Sequence, residues 1–327
     1  MRLESLLAAA LLAISLVSPA NAGAPPPFHM AIEADHPLVG RIWSPATGNF
    51  TDSDELVREA AASNLVLLGE THDNPDHHQL QAWILRHMIA AGKRPAVAFE
   101  MIDSGQETAL RKHLRERPDD DLGLGAAIGW DKTGWPGWEF YRPIATAAMA
   151  AGLPILTANM TKDDVRAIVA GKAAAQFLKS LRIDKPLAEA AQRFMEDDIQ
   201  SSHCHMLPEK ALPAMVTVQR ARDAVMAEAL VKGVKAQGSA VLIAGAGHAR
   251  SDFGAPTHLG TFAADHKLLS VAFVEVQADK HNPEQYGELY GVNNLPFDLV
   301  WFTPRAQRED QCEAFRKHME EKKKNSR

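Results

Sequence analysis

Short uninterrupted apolar runs alternate along this chain with longer stretches whose apolar positions recur at helical spacing. The runs Asn64 to Leu68, Pro95 to Phe99, Leu153 to Ala158, Ala240 to Ala244 and Leu268 to Val276 are rich in branched residues. Such runs suit strands buried on both faces, as in a parallel sheet. Val39 to Trp43 predicts a short edge strand, and Leu299 to Phe302 a last edge strand.

Between the runs lie helix signals. Asp52-Ser53 caps a helix through about Ala62, and Asn74-Pro75-Asp76 opens another that reaches about Ala91 before Gly92. Further helices are expected from Ser104 to about Leu114, from Glu139 to Ala151, and after the capping box Thr161-Lys162-Asp163-Asp164. Glu209 to about Ala236 reads as one long helix, with Pro213 in its first turn or marking a break. Arg115 to Asp121 reads as a charged loop, and there is no repeat of solenoid type. The alternation predicts an α/β fold: a mostly parallel β-sheet flanked by helices on both faces, with a helical insertion at about 171–207.

Open parallel sheets bind ligands at the carboxyl ends of their strands. Two runs end alike here, in Gly69-Glu70-Thr71-His72 and Gly245-Ala246-Gly247-His248. Glu100 and Asn159 close two further strands. Carboxylate with imidazole is both a ligand set for a divalent transition metal and the usual acid/base set. Glu70, His72, Glu100 and His248 are therefore candidates for either role.

Other residues have the chemistry of a binding site. His77 and His78 stand at a helix start, where the helix dipole favours neutral imidazole. His203 and His205 flank Cys204 without zinc-finger spacing. Gln219, Arg222, Asp223 and Met226 share one helix face, from which a guanidinium can reach the crevice. The segment from Gly129 to Tyr141 gathers Trp130, Trp135 and Trp138, able to cover a flat apolar ligand or simply to pack over the sheet edge. Tyr141 is a phenolate candidate, since tyrosine ligates haem iron. Gly245-Ala246-Gly247 lacks the third glycine of a dinucleotide loop, and no G-x-S-x-G elbow exists.

Composition narrows the partners. With 327 residues, a net charge of −6 and a pI near 6.2, the chain has no basic footprint for nucleic acid. Residues 1–22 read as a signal peptide, with Arg2, an apolar run from Leu6 to Val17, and Ala20-Asn21-Ala22 before the cut. Residues 23–38 are expected to be a flexible leader, 39–305 the α/β domain and 306–327 a charged tail. Export to the periplasm follows, and no cysteine near the cut supports a lipid anchor. There Cys204 and Cys312 can pair or remain thiols. Covalent c-type haem is excluded, because there is no CxxCH.

Taken in order, Gly69 to His78, Trp138 to Pro143, Val218 to Asp223 and Gly245 to His248 resemble the ChaN family of haem-binding uptake proteins, within the Tiki and erythromycin-esterase group. The resemblance spans roughly Val39 to Phe302. It implies a haem-binding protein of iron uptake, with a homodimer and an outer-membrane receptor as candidate partners. Haem would then be held among Tyr141, His77, His78, Trp138, Arg222 and His203. The wider group implies a hydrolytic site on Glu70, His72, Glu100 and His248, metal-dependent or acid/base.

Overall fold

A computed structural model describes residues 23–183 and 186–308, together with 310, 312, 313 and 316. The signal-peptide expectation and the charge run at 320–327 lie outside the described residues. Among the described residues no helix is long and apolar enough to cross a membrane.

The strands are β1 (Ile42–Ser44), β2 (Asn49–Thr51), β3 (Leu65–Glu70), β4 (Ala96–Asp103), β5 (Ile155–Asn159), β6 (Ala240–Gly245), β7 (Leu268–Glu275) and β8 (Leu299–Thr303). They form one eight-stranded sheet in the order β2-β1-β8-β7-β3-β6-β4-β5. Pairing is parallel from β8 to β5, and the β1–β2 hairpin adds an antiparallel margin. The fold is therefore the α/β arrangement the alternation predicts. β8 is not an edge strand, however. All five of its residues are buried, and β1 closes its outer side. A five-residue apolar run looks the same at an edge or in a sheet interior.

Among the described residues the α-helices are α1 (Ser53–Ala62), α2 (Pro75–Ala90), α3 (Glu107–Glu116), α4 (Asp121–Ala127), α5 (Trp138–Ala150), α6 (Lys162–Val169), α7 (Ala175–Ser180), α8 (Glu189–Ser202), α9 (Leu212–Gln237), α10 (Ala246–Ala249) and α11 (Thr261–Ala264). Strand period divides the core in two. Val66, Leu68, Val97, Phe99, Val241 and Ile243 face α1, α2 and α5. Leu65, Leu67, Ala98, Leu242 and Ala244 face α9 through Met226, Leu230 and Val234. Residues 209–211 form a separate 3-10 turn, so α9 begins at Leu212 with Pro213 in its first turn, where proline costs no hydrogen bond.

Two segments are tied down more firmly than their polarity suggests. In the stretch expected as a flexible leader, the His29 and Met30 amides donate to the Asp76 carboxylate at 2.9 Å, and Leu38 is buried. Asp76 sits in the first turn of α2, where its charge suits the helix dipole. Past β8, Arg308 makes forked hydrogen bonds to Asp73 and Glu275 at 2.5–2.8 Å. Beyond it Cys312 is disulfide-bonded to Cys204, 108 residues away, which joins this strap to the end of α8.

Candidate functional site

The two glycine-ended segments lie side by side, because β3 and β6 are neighbours with Glu70 opposite Gly245. Both glycines are packing requirements. A Cβ on Gly69 would stand 2.8 Å from the Ala246 Cα, and one on Gly245 would stand 3.0 Å from His72 Nε2. The His72 ring therefore lies directly over the end of β6. β4, on the other side of β6, brings Glu100 beneath the same ring.

The strand-end residues form a continuous chain of polar contacts. The Tyr141 hydroxyl donates to Glu70 Oε1 at 2.9 Å, and the same oxygen lies 2.9 Å from His72 Nδ1. His72 Nε2 is 3.9 Å from Glu100 Oε2, which accepts the Gly245 amide at 2.8 Å. Glu100 Oε1 is 3.4 Å from His248 Nε2, and His248 Nδ1 is 2.7 Å from Asp223 on α9. All of these side chains are buried except His72, which keeps a third of its surface exposed. His72 is thus the member of this chain that solvent reaches.

Charge follows from these contacts. Burial opposes ionisation of Glu100, but the His248 and His72 imidazoles and the Gly245 amide hold its pKa at about 2. Burial likewise opposes charge on His248, yet Glu100 and Asp223 push it up to about 10. Burial raises the Asp223 carboxyl against the opposing pull of His248. His72 is raised too, with Glu100 and then Glu70 outweighing its desolvation. Glu70 is held well below the carboxylate range, since His78 and His72 overcome its burial. At neutral pH Glu70 and Glu100 are ionised and His248 is an imidazolium between Glu100 and Asp223.

The other expected site residues fall into different places. Tyr141 is fully buried, and burial together with Glu70 pushes its phenol far above the usual range. It is a hydrogen-bond donor here and no phenolate. His77 and His78 lie inside the protein rather than on a solvated helix start. His77 Nδ1 accepts the Thr71 amide and Nε2 meets Thr303 Oγ1 at 2.8 Å, while His78 Nε2 lies 2.9 Å from the His72 carbonyl. Both therefore brace the loop that carries His72. His78 Nδ1 is also 2.8 Å from Glu70 Oε2, an oxygen left without an aligned hydrogen bond.

In the aromatic segment, Trp138 donates to the Asp121 carbonyl and packs edge-on against Trp130, which is itself buried against Tyr141. Trp135 is the indole at the crevice, 4.8 Å from the His72 ring. Arg222 reaches the same side and lines a cavity of about 290 Å³ with Trp135 and Asn159. His203 stands apart in the insertion, its Nδ1 2.8 Å from the Ile199 carbonyl at the end of α8. Asp223 gains its role only here. Its signal was the α9 face shared with Arg222, which gave no hint of His248.

The divalent-metal alternative on Glu70, His72, Glu100 and His248 is not supported. Among the described residues no three His, Cys, Asp or Glu side chains are arranged to hold a metal ion. Carboxylate oxygens and imidazole nitrogens are turned toward each other instead of toward a common point. The same pairing leaves the strand ends a poor fit for haem iron. Tyr141 is enclosed, His248 is protonated at neutral pH, and His72 is turned between two carboxylates that favour its charged form.

These shifts set the dependence of stability on pH. His248, raised in the fold, stabilises fully below its unfolded value of 6.5, and this is lost as pH rises through about 10. Glu100 stabilises above its unfolded value and loses this as pH falls through about 2. Buried His77, lowered to about 3, destabilises as pH falls below 6.5, because the unfolded chain takes up the proton first. The urea midpoint should therefore peak near pH 6.5 and fall on both sides. A midpoint still rising at pH 9 would contradict the assigned His248 charge.

A parallel sheet whose central strand ends interleave carboxylates with imidazoles defines the class to which the comparisons lead. The chain belongs to the family described as haem-binding uptake, Tiki superfamily, ChaN, matched over residues 56–259. Among solved structures it is similar to ChaN of Campylobacter jejuni with cofacial haem, at 23% identity and a TM-score of 0.61, covering 80% of this chain and 95% of that one. The type III effector HopBA1 is 16% identical with a TM-score of 0.41, over 82% of this chain and 98% of that one. The erythromycin esterase EreC is 13% identical with a TM-score of 0.41, over 84% of this chain and 86% of that one. No curated protein matches the chain.

Proposed function

We propose that this chain is a periplasmic haem-binding protein of iron uptake that carries its haem outside the strand-end crevice. Family membership supports the ligand, and the enclosure of Tyr141 argues for a seat elsewhere. The insertion supplies one. His203, exposed His205 and Met206 form a loop after α8, held by the Cys204–Cys312 disulfide. Imidazole and thioether are ordinary axial ligands of haem iron. The Campylobacter protein, similar to this chain in fold, binds haem cofacially.

Titration of the purified protein with hemin should give a saturable Soret shift. Tyr141→Phe should leave it unchanged, whereas His203→Ala with His205→Ala should weaken it about tenfold or more. Absence of a saturable shift in the wild type would end the reading. A loss confined to Tyr141→Phe would move the haem back to the crevice.

One observation favours a second activity, acid/base hydrolysis at the crevice. His72 is the partly exposed member of the chain, and its carboxylate neighbours favour its charged form, so it is placed to give a proton to a leaving group. Glu100, ionised 3.9 Å away, holds that imidazole in place and favours its charged form. Turnover of nitrophenyl esters that disappears in Glu100→Gln supports this activity. Turnover unchanged in that variant, or none across an ester panel, removes it.

A further inference from the structure

We propose that the cavity beside His72 takes the acidic group of a small organic ligand, carboxylate or phosphate ester, with Arg222 as its anchor. This rests on the crevice being an acid/base site and names the substrate class that such a site would receive.

Local charge is the first argument. The cavity, about 290 Å³, is walled by Trp135, Asn159, Lys162, Arg166 and Arg222, with Asp103 as its one acid. The Asp103 carboxylate is already engaged, accepting the Gly105 amide at 2.8 Å. Two of the cations are engaged as well. Exposed Arg166 pairs with Asp163, and Lys162 Nζ donates to the Lys132 carbonyl at 3.0 Å.

Arg222 is less well served. Its Nη1 reaches Gln219 Oε1 at 3.3 Å, a long bond, and its Nε is buried with no hydrogen-bond partner. A buried N–H left unmet is unfavourable, and a guanidinium presents its donors as a fork. Carboxylate and phosphate oxygens match that fork. An acidic ligand would complete the guanidinium's hydrogen bonding where the protein does not.

Position is the second argument. Trp135 lines this cavity and also stands 4.8 Å from the His72 ring. A ligand whose acid lies on Arg222 and whose flat portion lies on Trp135 has its next atoms at His72. That imidazole is the partly exposed member of the polar chain. Arg222 would thus be a positioning residue, setting which bond of the ligand meets the proton donor.

Calorimetric titration with two probes, phenylacetate and phenyl phosphate, tests this and separates the two anion types. At least one should bind at one site per chain. Arg222→Met should weaken that probe about tenfold or more, and Trp135→Ala should weaken it in the same direction. Arg166→Met, a rim change, should alter it by less than about threefold. Where Arg222→Met fails to fold by circular dichroism, Arg222→Lys decides, since it keeps the charge and loses the fork. Binding of neither probe, or equal binding by the Arg222 variants, overturns the proposal. Binding without ester hydrolysis leaves the anion site standing and removes the acid/base reading. Hydrolysis of neutral esters without binding of either probe does the reverse.

Discussion

Glu70→Gln is expected to lower the unfolding free energy by about 3–5 kcal/mol at neutral pH, the range for breaking a buried ionic network from one side. Glu70 is wholly enclosed, and its two oxygens face Tyr141, His72 and His78. The amide would keep the volume and lose the charge. His72 and His78 would then face a partial dipole, and part of the raised affinity of His72 for its proton would go. Urea denaturation measures the loss. A cycle with Tyr141→Phe should be non-additive, because Tyr141 donates to the same Glu70 oxygen. A loss below about 1 kcal/mol would mean that the carboxylate is not what orders the histidines.

Removal of the disulfide is expected to cost about 2–5 kcal/mol. Cys204 and Cys312 are 108 residues apart, and a bridge over such a long loop restricts the unfolded chain strongly. It also has a local effect. Cys204 and His205 both have left-handed backbone, with φ of 56° and 54°, so the loop bearing the histidines is held in an unfavourable conformation. Reduction, or Cys312→Ser, should lower the urea midpoint and weaken hemin binding together. An unchanged midpoint in reductant would show that the strap is anchored by Arg308 alone, and an unchanged Soret titration would detach haem from this loop.

The two effects act on opposite sides of one strap. Arg308 ties it to Asp73, the residue after His72, and to Glu275 at the end of β7. Asn74, the cap of α2, donates to the same Glu275 carboxylate at 2.7 Å. The loop that presents His72 is therefore bounded by a capped helix, two buried histidines and the strap. That explains how a side chain one-third exposed can keep a fixed position between two carboxylates.

Much of this site was legible locally. β3 and β6 announce themselves as branched apolar runs, and their glycines mark where another backbone or a ring must approach closely. Glu100 follows from the same reading of β4. Tyr141 reads as a phenolate candidate because its aromatic neighbours suggest a flat ligand, yet those neighbours bury it. His77 and His78 look like an exposed helix start, since nothing nearby reveals that Phe273 and Thr303 cover His77 and that Phe140 and Tyr141 of α5 cover His78.

The α/β class, and the chemical groups that stand at the strand ends, follow from period and from turn residues within a few positions of one another. The partners and protonation of those groups come from the assembled fold. Tyr141 meets Glu70 across 71 residues, Glu100 meets Gly245 across 145, and His248 meets Asp223 across 25. A proton's position depends on burial and on the nearest charge. Both belong to strand order and helix packing, which no local pattern contains.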